Sequence, residues 1–162
     1  MRLVETGEGS ITLRRVVPED DAFLASVYAS TRAEELALTG WSDAQKEQFC
    51  TMQFRAQSAD YARNHAAAVF SIIERAGAPA GRLYVDRRER AIHIIDIALL
   101  PEHRGAGIGT RLLREFQEEA RAAGKALSIH VEKFNPALRL YERLGFRAKE
   151  ETGVYLLMEW RA

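Results

Sequence analysis

Apolar residues recur along this chain in two periods, and the switches between them outline its elements. Ile11-Thr12-Leu13-Arg14-Arg15-Val16-Val17 alternates and predicts a strand. Pro18-Glu19-Asp20-Asp21 opens a helix, with acidic groups where the helix dipole favours them, and Phe23, Leu24, Val27 and Tyr28 form its apolar stripe. A second helical region is predicted from Thr31 to Asn64, broken near Gly40-Trp41 and restarted by Ser42, with Gln45 placed to close a capping box. Two apolar runs, Ala68 to Ile73 and Gly81 to Val85, flank Gly77-Ala78-Pro79-Ala80 and read as a hairpin. Ala91 to Leu100 is almost continuously apolar apart from His93 and Asp96, so it is expected at the centre of a sheet with both faces covered. After the loop from Pro101 to Gly109 comes a helix with Ile108, Leu112, Leu113, Phe116 and Ala120 on one face, ended by Gly124. A strand from Lys125 to Val131, a short helix between Asn135-Pro136 and Gly145, and two closing strands complete the predicted order, β-α-α-β-β-β-α-β-α-β-β. Strand–helix–strand units beside a hairpin imply a mixed sheet with helices packed on it.

Composition narrows the class. With 162 residues, 47% hydrophobic and 28% charged, the chain is expected to form one domain with one core, residues 1–162. Basic and acidic residues balance at 23 each, which disfavours nucleic acid and anionic membranes as partners. No apolar run approaches the roughly 20 residues that span a bilayer, and the charged N-terminus does not read as a signal peptide. One cysteine, Cys50, allows neither an internal disulfide nor a cysteine-based metal cluster. A cytoplasmic location and no metal are therefore expected.

The chemistry concentrates in Ile97 to Thr110. A buried strand, a turn with Gly105, Gly107 and Gly109, and an immediate helix make an anion site, where backbone N–H groups converge and missing Cβ atoms admit a phosphate. The P-loop is ruled out because the loop has no lysine, and the dinucleotide fingerprint because its third glycine would fall at Thr110.

Arg104-Gly105-Ala106-Gly107-Ile108-Gly109 resembles the [Q/R]-x-x-G-x-[G/A] signature of the GNAT-type N-acetyltransferases. Asn135-Pro136-Ala137-Leu138-Arg139-Leu140-Tyr141-Glu142-Arg143-Leu144-Gly145-Phe146 is similar to that family's second motif, N-x-x-A-x-x-[LF]-Y-x-[KR]-x-G-F, at every named position. The resemblance implies an α/β fold of the GNAT type: a central mixed, mostly antiparallel sheet with helices on both faces, splayed between the fourth and fifth strands. It implies acetyl-CoA as co-substrate, its pyrophosphate on the amides from Arg104 through Thr110. It places a bulge at Ala98-Leu99-Leu100, where the pantetheine arm pairs with the strand. Asn135 would bond that arm, and Arg143 would reach a coenzyme A phosphate. Tyr141 would act as general acid and the N–H of Leu99 as oxyanion donor.

Acetyl transfer to an amine also needs a base, because a lysine-like amine with pKa about 10.4 is protonated at neutral pH. His93 lies where family members carry a base. Asp96 is its rival, an ionisable group that needs a partner or a purpose in so apolar a strand. Strand parity puts the two on opposite faces unless a bulge intervenes. His130 and Glu132 are weaker options. For the acceptor, Tyr28, Arg32, Glu34, Glu35 and Trp41 cluster around the helical break. Cys50 reads as a core thiol. The resulting expectation is an N-acetyltransferase acting by direct attack on a small-molecule or peptide amine. The alternatives are a catalytically silent CoA-binding regulatory module and a nucleotide-binding module. The apolar run Tyr155-Leu156-Leu157-Met158 with Trp160 suggests a homodimer built through the last strands.

Overall fold

A computed structural model describes residues 9–162 throughout and the backbone alone of residues 3–6. The strands are β1 (Leu3–Thr6), β2 (Gly9–Arg15), β3 (Val69–Arg75), β4 (Ala78–Arg87), β5 (Ala91–Leu99), β6 (Ala126–Glu132), β7 (Arg147–Thr152) and β8 (Tyr155–Trp160). The helices are α1 (Asp21–Ala37), α2 (Asp43–Asn64), α3 (Ile108–Ala123) and α4 (Leu138–Arg143). One sheet runs in the order β1-β2-β3-β4-β5-β6-β8-β7. Every neighbouring pair is antiparallel except β5 and β6, which α3 joins as a parallel crossover. These are the pair expected as fourth and fifth; the short β1, four residues with too little pattern to read, raises the count by one.

Local chemistry explains most boundaries. Ser42 Oγ accepts from the N–H of Gln45 and Gln45 Oε1 accepts from the N–H of Ser42, closing the expected capping box. The predicted boundary at Thr31 is corrected: α1 continues unbroken to Ala37, because Leu36 is still buried and carries the apolar stripe two turns further. A single 3-10 turn at Pro18–Asp20 leads into α1. There Asp20 accepts from the Val17 N–H at 2.8 Å and pairs with Arg14, which also reaches Glu74 on β3. The β3–β4 turn tightens to Ala76-Gly77, both with positive φ, matching the twist of a two-residue hairpin.

The sheet separates two apolar clusters. Leu112, Leu113, Phe116 and Ala120 of α3 pack with Tyr141 of α4 against Leu83, Val85, Ile92, Ile94, Leu127 and Ile129. On the other face, Leu24, Tyr28 and Leu36 of α1 join Cys50 and Phe54 of α2 over Ile72 and Tyr84. β8 lies inside the sheet between β6 and β7, with Met158 buried, Leu156, Leu157 and Trp160 half-buried and Tyr155 exposed. The edge strand at this end of the sheet is β7, exposed along its length and rich in charge. No helix among the described residues is long and apolar enough to cross a membrane.

Against β4, β5 keeps register from Ile92↔Arg87 to Ile94↔Val85, inserts Ile95, and resumes at Asp96↔Tyr84 through Leu99↔Gly81. The bulge is thus at Ile95, three residues before the expected Ala98-Leu99-Leu100, which all remain held by β4. Against β6, pairing stops at Ile94↔Ile129. From Ile95 onward β5 follows β4 and parts from β6. The approach of β4 to β5 at the end of this segment is close enough that a Cβ on Gly81 would lie 2.2 Å from the Ala98 carbonyl oxygen. Gly81→Ala should therefore displace the end of β5 and cost about 1–3 kcal/mol, read as a lowered midpoint in denaturant unfolding. An unchanged midpoint would mean the two strands are free to separate there.

Candidate active site

The parting of β5 from β6 ends on the glycine loop. Gly105 and Gly107 sit at φ +79° and +82°, the left-handed region that suits glycine, and Gly107 immediately precedes α3. A Cβ at Gly105, Gly107 or Gly109 would meet nothing within 4 Å, so the loop amides front open space at the N-terminus of a 16-residue helix. Arg104 Nε donates to the Leu99 carbonyl at 3.0 Å and ties the loop back to the end of β5. The Leu100 N–H donates to the Ala80 carbonyl, on β4. Strand alternation then turns the N–H groups of Ile97 and Leu99 away from β4 and into the gap left by β6. An extended chain ending in a phosphate fits this combination of unpaired strand edge and anion cradle.

Tyr141 is 4% exposed, its ring tilted against Phe146 at 5.9 Å. Burial, reinforced by the charge of Asp96, pushes its hydroxyl well above the usual tyrosine range, so it keeps its proton at any physiological pH. Asn135 Oδ1 accepts from the Ala137 N–H at 2.8 Å and shapes the turn into α4, whose first regular turn begins at Leu138. Arg143 is exposed beside Arg114, Gln117 and Glu118 midway along α3, about two turns from the loop.

The bulge at Ile95 settles the parity of the two candidate bases. His93 pairs across to Asp86 and Asp96 to Tyr84, residues two apart on β4, so both point to the face covered by α1 and α2. Their surroundings differ. Asp96 is ion-paired with Arg82, itself 2% exposed, anchored to Gln57 Oε1 at 3.0 Å and set over the Tyr84 ring at 5.2 Å. His93 is 3% exposed, with Nδ1 2.8 Å from Ser128 Oγ and Nε2 3.1 Å from Nδ1 of His130. Burial, then the nearby Arg88, lowers the His93 pKa to about 4.

Of the acceptor-side candidates, the structure gathers Tyr28, Arg32 and Glu35. Arg32 Nε donates to the Tyr28 hydroxyl at 3.3 Å, and Arg32 pairs with Glu35 at 3.1 Å and with Glu132 of β6 at 3.6 Å. Tyr155 lies within electrostatic reach of Glu132, Arg32 and Tyr28. Glu34 is exposed, and Trp41 stands apart, edge-on to Phe49 at 5.4 Å. Cys50 is buried in the α1–α2 cluster, which raises its thiol pKa. Sequence reasoning missed Arg82 and Ser128 and undervalued His130. One signal was available: Ser128, His130 and Glu132 alternate with Leu127, Ile129 and Val131, a polar row on one face of an apolar strand.

A parallel pair that parts beside a glycine loop and a helix N-terminus is the geometry that defines this site. Comparison is more specific: residues 19–146 match the acetyltransferase (GNAT) family, and the chain belongs to it. A 65-residue segment is 38% identical to glucosamine 6-phosphate N-acetyltransferase of Trypanosoma brucei brucei, covering 40% of this chain and 44% of that protein. A 58-residue segment is 34% identical to an N-alpha-acetyltransferase of Sulfurisphaera tokodaii, covering 34% of this chain and 35% of the relative. The chain thus spans less than half the length of these curated relatives. The fold superposes on the PaiA N-acetyltransferase of Thermoplasma acidophilum, solved with coenzyme A, at a TM-score of 0.70 with 18% identity, over 94% of this chain and 99% of the other. It also superposes on YncA of Salmonella typhimurium, solved with acetyl-CoA, at 0.57 with 24% identity and 93% of each chain.

The buried histidine has a measurable consequence. A folded-state pKa of about 4, against 6.5 for the free side chain, means that the folded form binds fewer protons than the unfolded one. Stability from this source is complete above pH 6.5 and is lost as the pH falls towards 4, by on the order of 3 kcal/mol at most. Asp20, lowered to about 2 by its bond to Arg14, contributes stability that is complete above pH 3.8 and is lost only below it. Denaturant midpoints at pH 7.5, 5.5 and 4 should therefore fall steadily, and His93→Phe should flatten most of that decline. A midpoint constant over this window would show that His93 titrates normally.

Proposed function

We propose that this chain is an acetyl-CoA-dependent N-acetyltransferase, a single cytoplasmic domain that transfers the acetyl group to a primary amine of a small molecule or peptide. The observation that carries the reading is the parting of β5 from β6 past Ile94 and Ile129, which leads directly into the left-handed glycines ahead of α3. The edge of β5 from Ile95 to Leu99 receives the pantetheine arm, with Ala98 and Leu100 fastened to β4 behind it. The amides from Gly105 to Thr110 receive the pyrophosphate, which the helix dipole favours. Arg104 acts mainly by fixing this loop to Leu99.

In the transfer, the acceptor nitrogen attacks the thioester carbonyl from the α1–α2 face. The inward N–H of Leu99 stabilises the resulting oxyanion, a fixed donor in a site from which water is largely excluded. Tyr141, kept protonated by burial, donates to the departing thiolate. Attack is direct, because the one cysteine lies buried in the α1–α2 cluster with its thiol pKa raised, a poor position for a covalent acyl carrier. Relatives named for glucosamine 6-phosphate and for α-amino acetylation make those two amines the first acceptors to test.

Two variants separate cofactor binding from chemistry. Gly109→Val places a side chain in open space at the first turn of α3, where the backbone has no need of glycine. It should leave the melting temperature nearly unchanged while weakening acetyl-CoA at least tenfold in calorimetry, about 1.4 kcal/mol. Unaltered affinity would remove the loop from the cofactor site. Tyr141→Phe keeps the ring and deletes the donor, so thiol release should slow by about 10²-fold or more with acetyl-CoA affinity unaffected. Full activity in this variant would assign the leaving-group proton to another donor.

A further inference from the structure

Three acidic or basic side chains stand on the α1–α2 face where the two strands part: Asp96, Glu132 and His130. Asp96 is held by Arg82 and Glu132 by Arg32. His93, one pair before the parting, has both ring nitrogens engaged and almost no exposure. His130 differs from all three. It is the first residue of β6 past the last β5–β6 pair, it is exposed, and only its Nδ1 is engaged, by His93 Nε2. Its Nε2 has no hydrogen-bond partner among the described residues.

From this arrangement we infer that His130 is the catalytic base of the proposed transfer, and that His93 and Ser128 are positioning residues that hold its ring and fix its tautomer. The inference rests on the acetyltransferase reading. When His93 Nδ1 donates to Ser128 Oγ, His93 Nε2 has a lone pair and accepts from the Nδ1–H of His130. The remaining lone pair of His130, on Nε2, is then free to accept a proton. The T-shaped contact of the two rings, centroids 4.9 Å apart, keeps this orientation. The groups around the pair are Asp86 and Arg88 at the β4 end, His65 at the end of α2 and Glu150 on β7. Partial covering of its ring, then Arg88, lowers the pKa of His130, so it is the free base at neutral pH.

The protons balance through this chain. The acceptor ammonium gives one proton to His130 Nε2, and the freed electron pair forms the C–N bond. As the C–S bond breaks, the thiolate takes the Tyr141 proton, and the second proton shed by the nitrogen restores Tyr141 through water. His130 releases its own to solvent. The products are one amide, one free thiol and one proton.

The test uses the full chain and two kinds of readout. Long-range ¹H–¹⁵N spectra at pH 7.5 should place the His130 proton on Nδ1 in the native chain. In His93→Phe a large share should move to Nε2. A native His130 protonated on Nε2 would overturn the proposal without any assay. Thiol release is measured with glucosamine 6-phosphate, an alanyl peptide and spermidine as amines. His130→Gln should lose at least about 10²-fold in kcat together with the acidic limb of the pH–rate profile, with the KM for acetyl-CoA within twofold. Ser128→Ala should move that limb to lower pH, and Ser128→Thr should restore it; a purely structural serine would leave the limb in place. An active chain whose His130→Gln variant keeps the native limb removes the base alone. A chain that binds acetyl-CoA but releases no thiol with these amines removes the acetyltransferase reading and the base with it.

Discussion

One residue inserted in β5 sets the geometry of this site. Ile95 has no partner on β4, and two consequences follow from that single irregularity. Side-chain parity is reset, so that His93 and Asp96, three positions apart, share a face. The bulge also marks where β5 leaves β6 to follow β4, and bulges increase local twist and redirect strands. The gap that results would be untenable in an ordinary sheet, since it leaves backbone donors and acceptors unpaired. A ligand with amide groups of its own resolves that difficulty, which is why an unpaired edge beside an anion cradle is informative about the occupant.

The two faces of the sheet divide the labour. The α3–α4 side is a tightly packed apolar layer in which Ile108, Leu112, Leu113 and Phe116 are essentially inaccessible, and it holds the glycine loop and Tyr141 rigidly. The α1–α2 side is more polar. Arg82 with Asp96, Arg32 with Glu132, and Ser128 with the histidine pair are all on it. Buried ion pairs contribute little net stability, because desolvation offsets their attraction. Their concentration on one face fits the side from which the proposed acceptor would approach.

Much of this was legible in the sequence because local rules and tertiary structure agreed. The amphipathic face of α3, the Ser42–Gln45 cap and the glycine spacing are determined within a few residues, and each is found where its pattern placed it. What escaped depends on partners distant in sequence. The bulge arises from the pairing of β4 with β5, so Ile95 carries no mark of it and the family pattern pointed three residues too far. Nothing in its own strand marks Arg82 as buried, but Asp96 and Gln57, 14 and 25 positions away, make it a buried cation. His130 looked secondary because sequence cannot show that His93 is sealed behind it. The apolar character of β8 was read correctly, yet its place in the sheet depends on β7 folding back outside it.

That outer strand has a consequence for the protein in a crowded cell. A sheet edge is a row of free donors and acceptors able to recruit any extended chain. β7 borders this sheet with Arg147, Lys149, Glu150 and Glu151, and Lys149 is bonded to Glu159 of the neighbouring strand. An incoming strand would have to desolvate these side chains before gaining one backbone bond. The apolar β8 is thereby shielded from templated growth into fibrils, and the terminal hairpin acts as a guard for the strand most prone to aggregate.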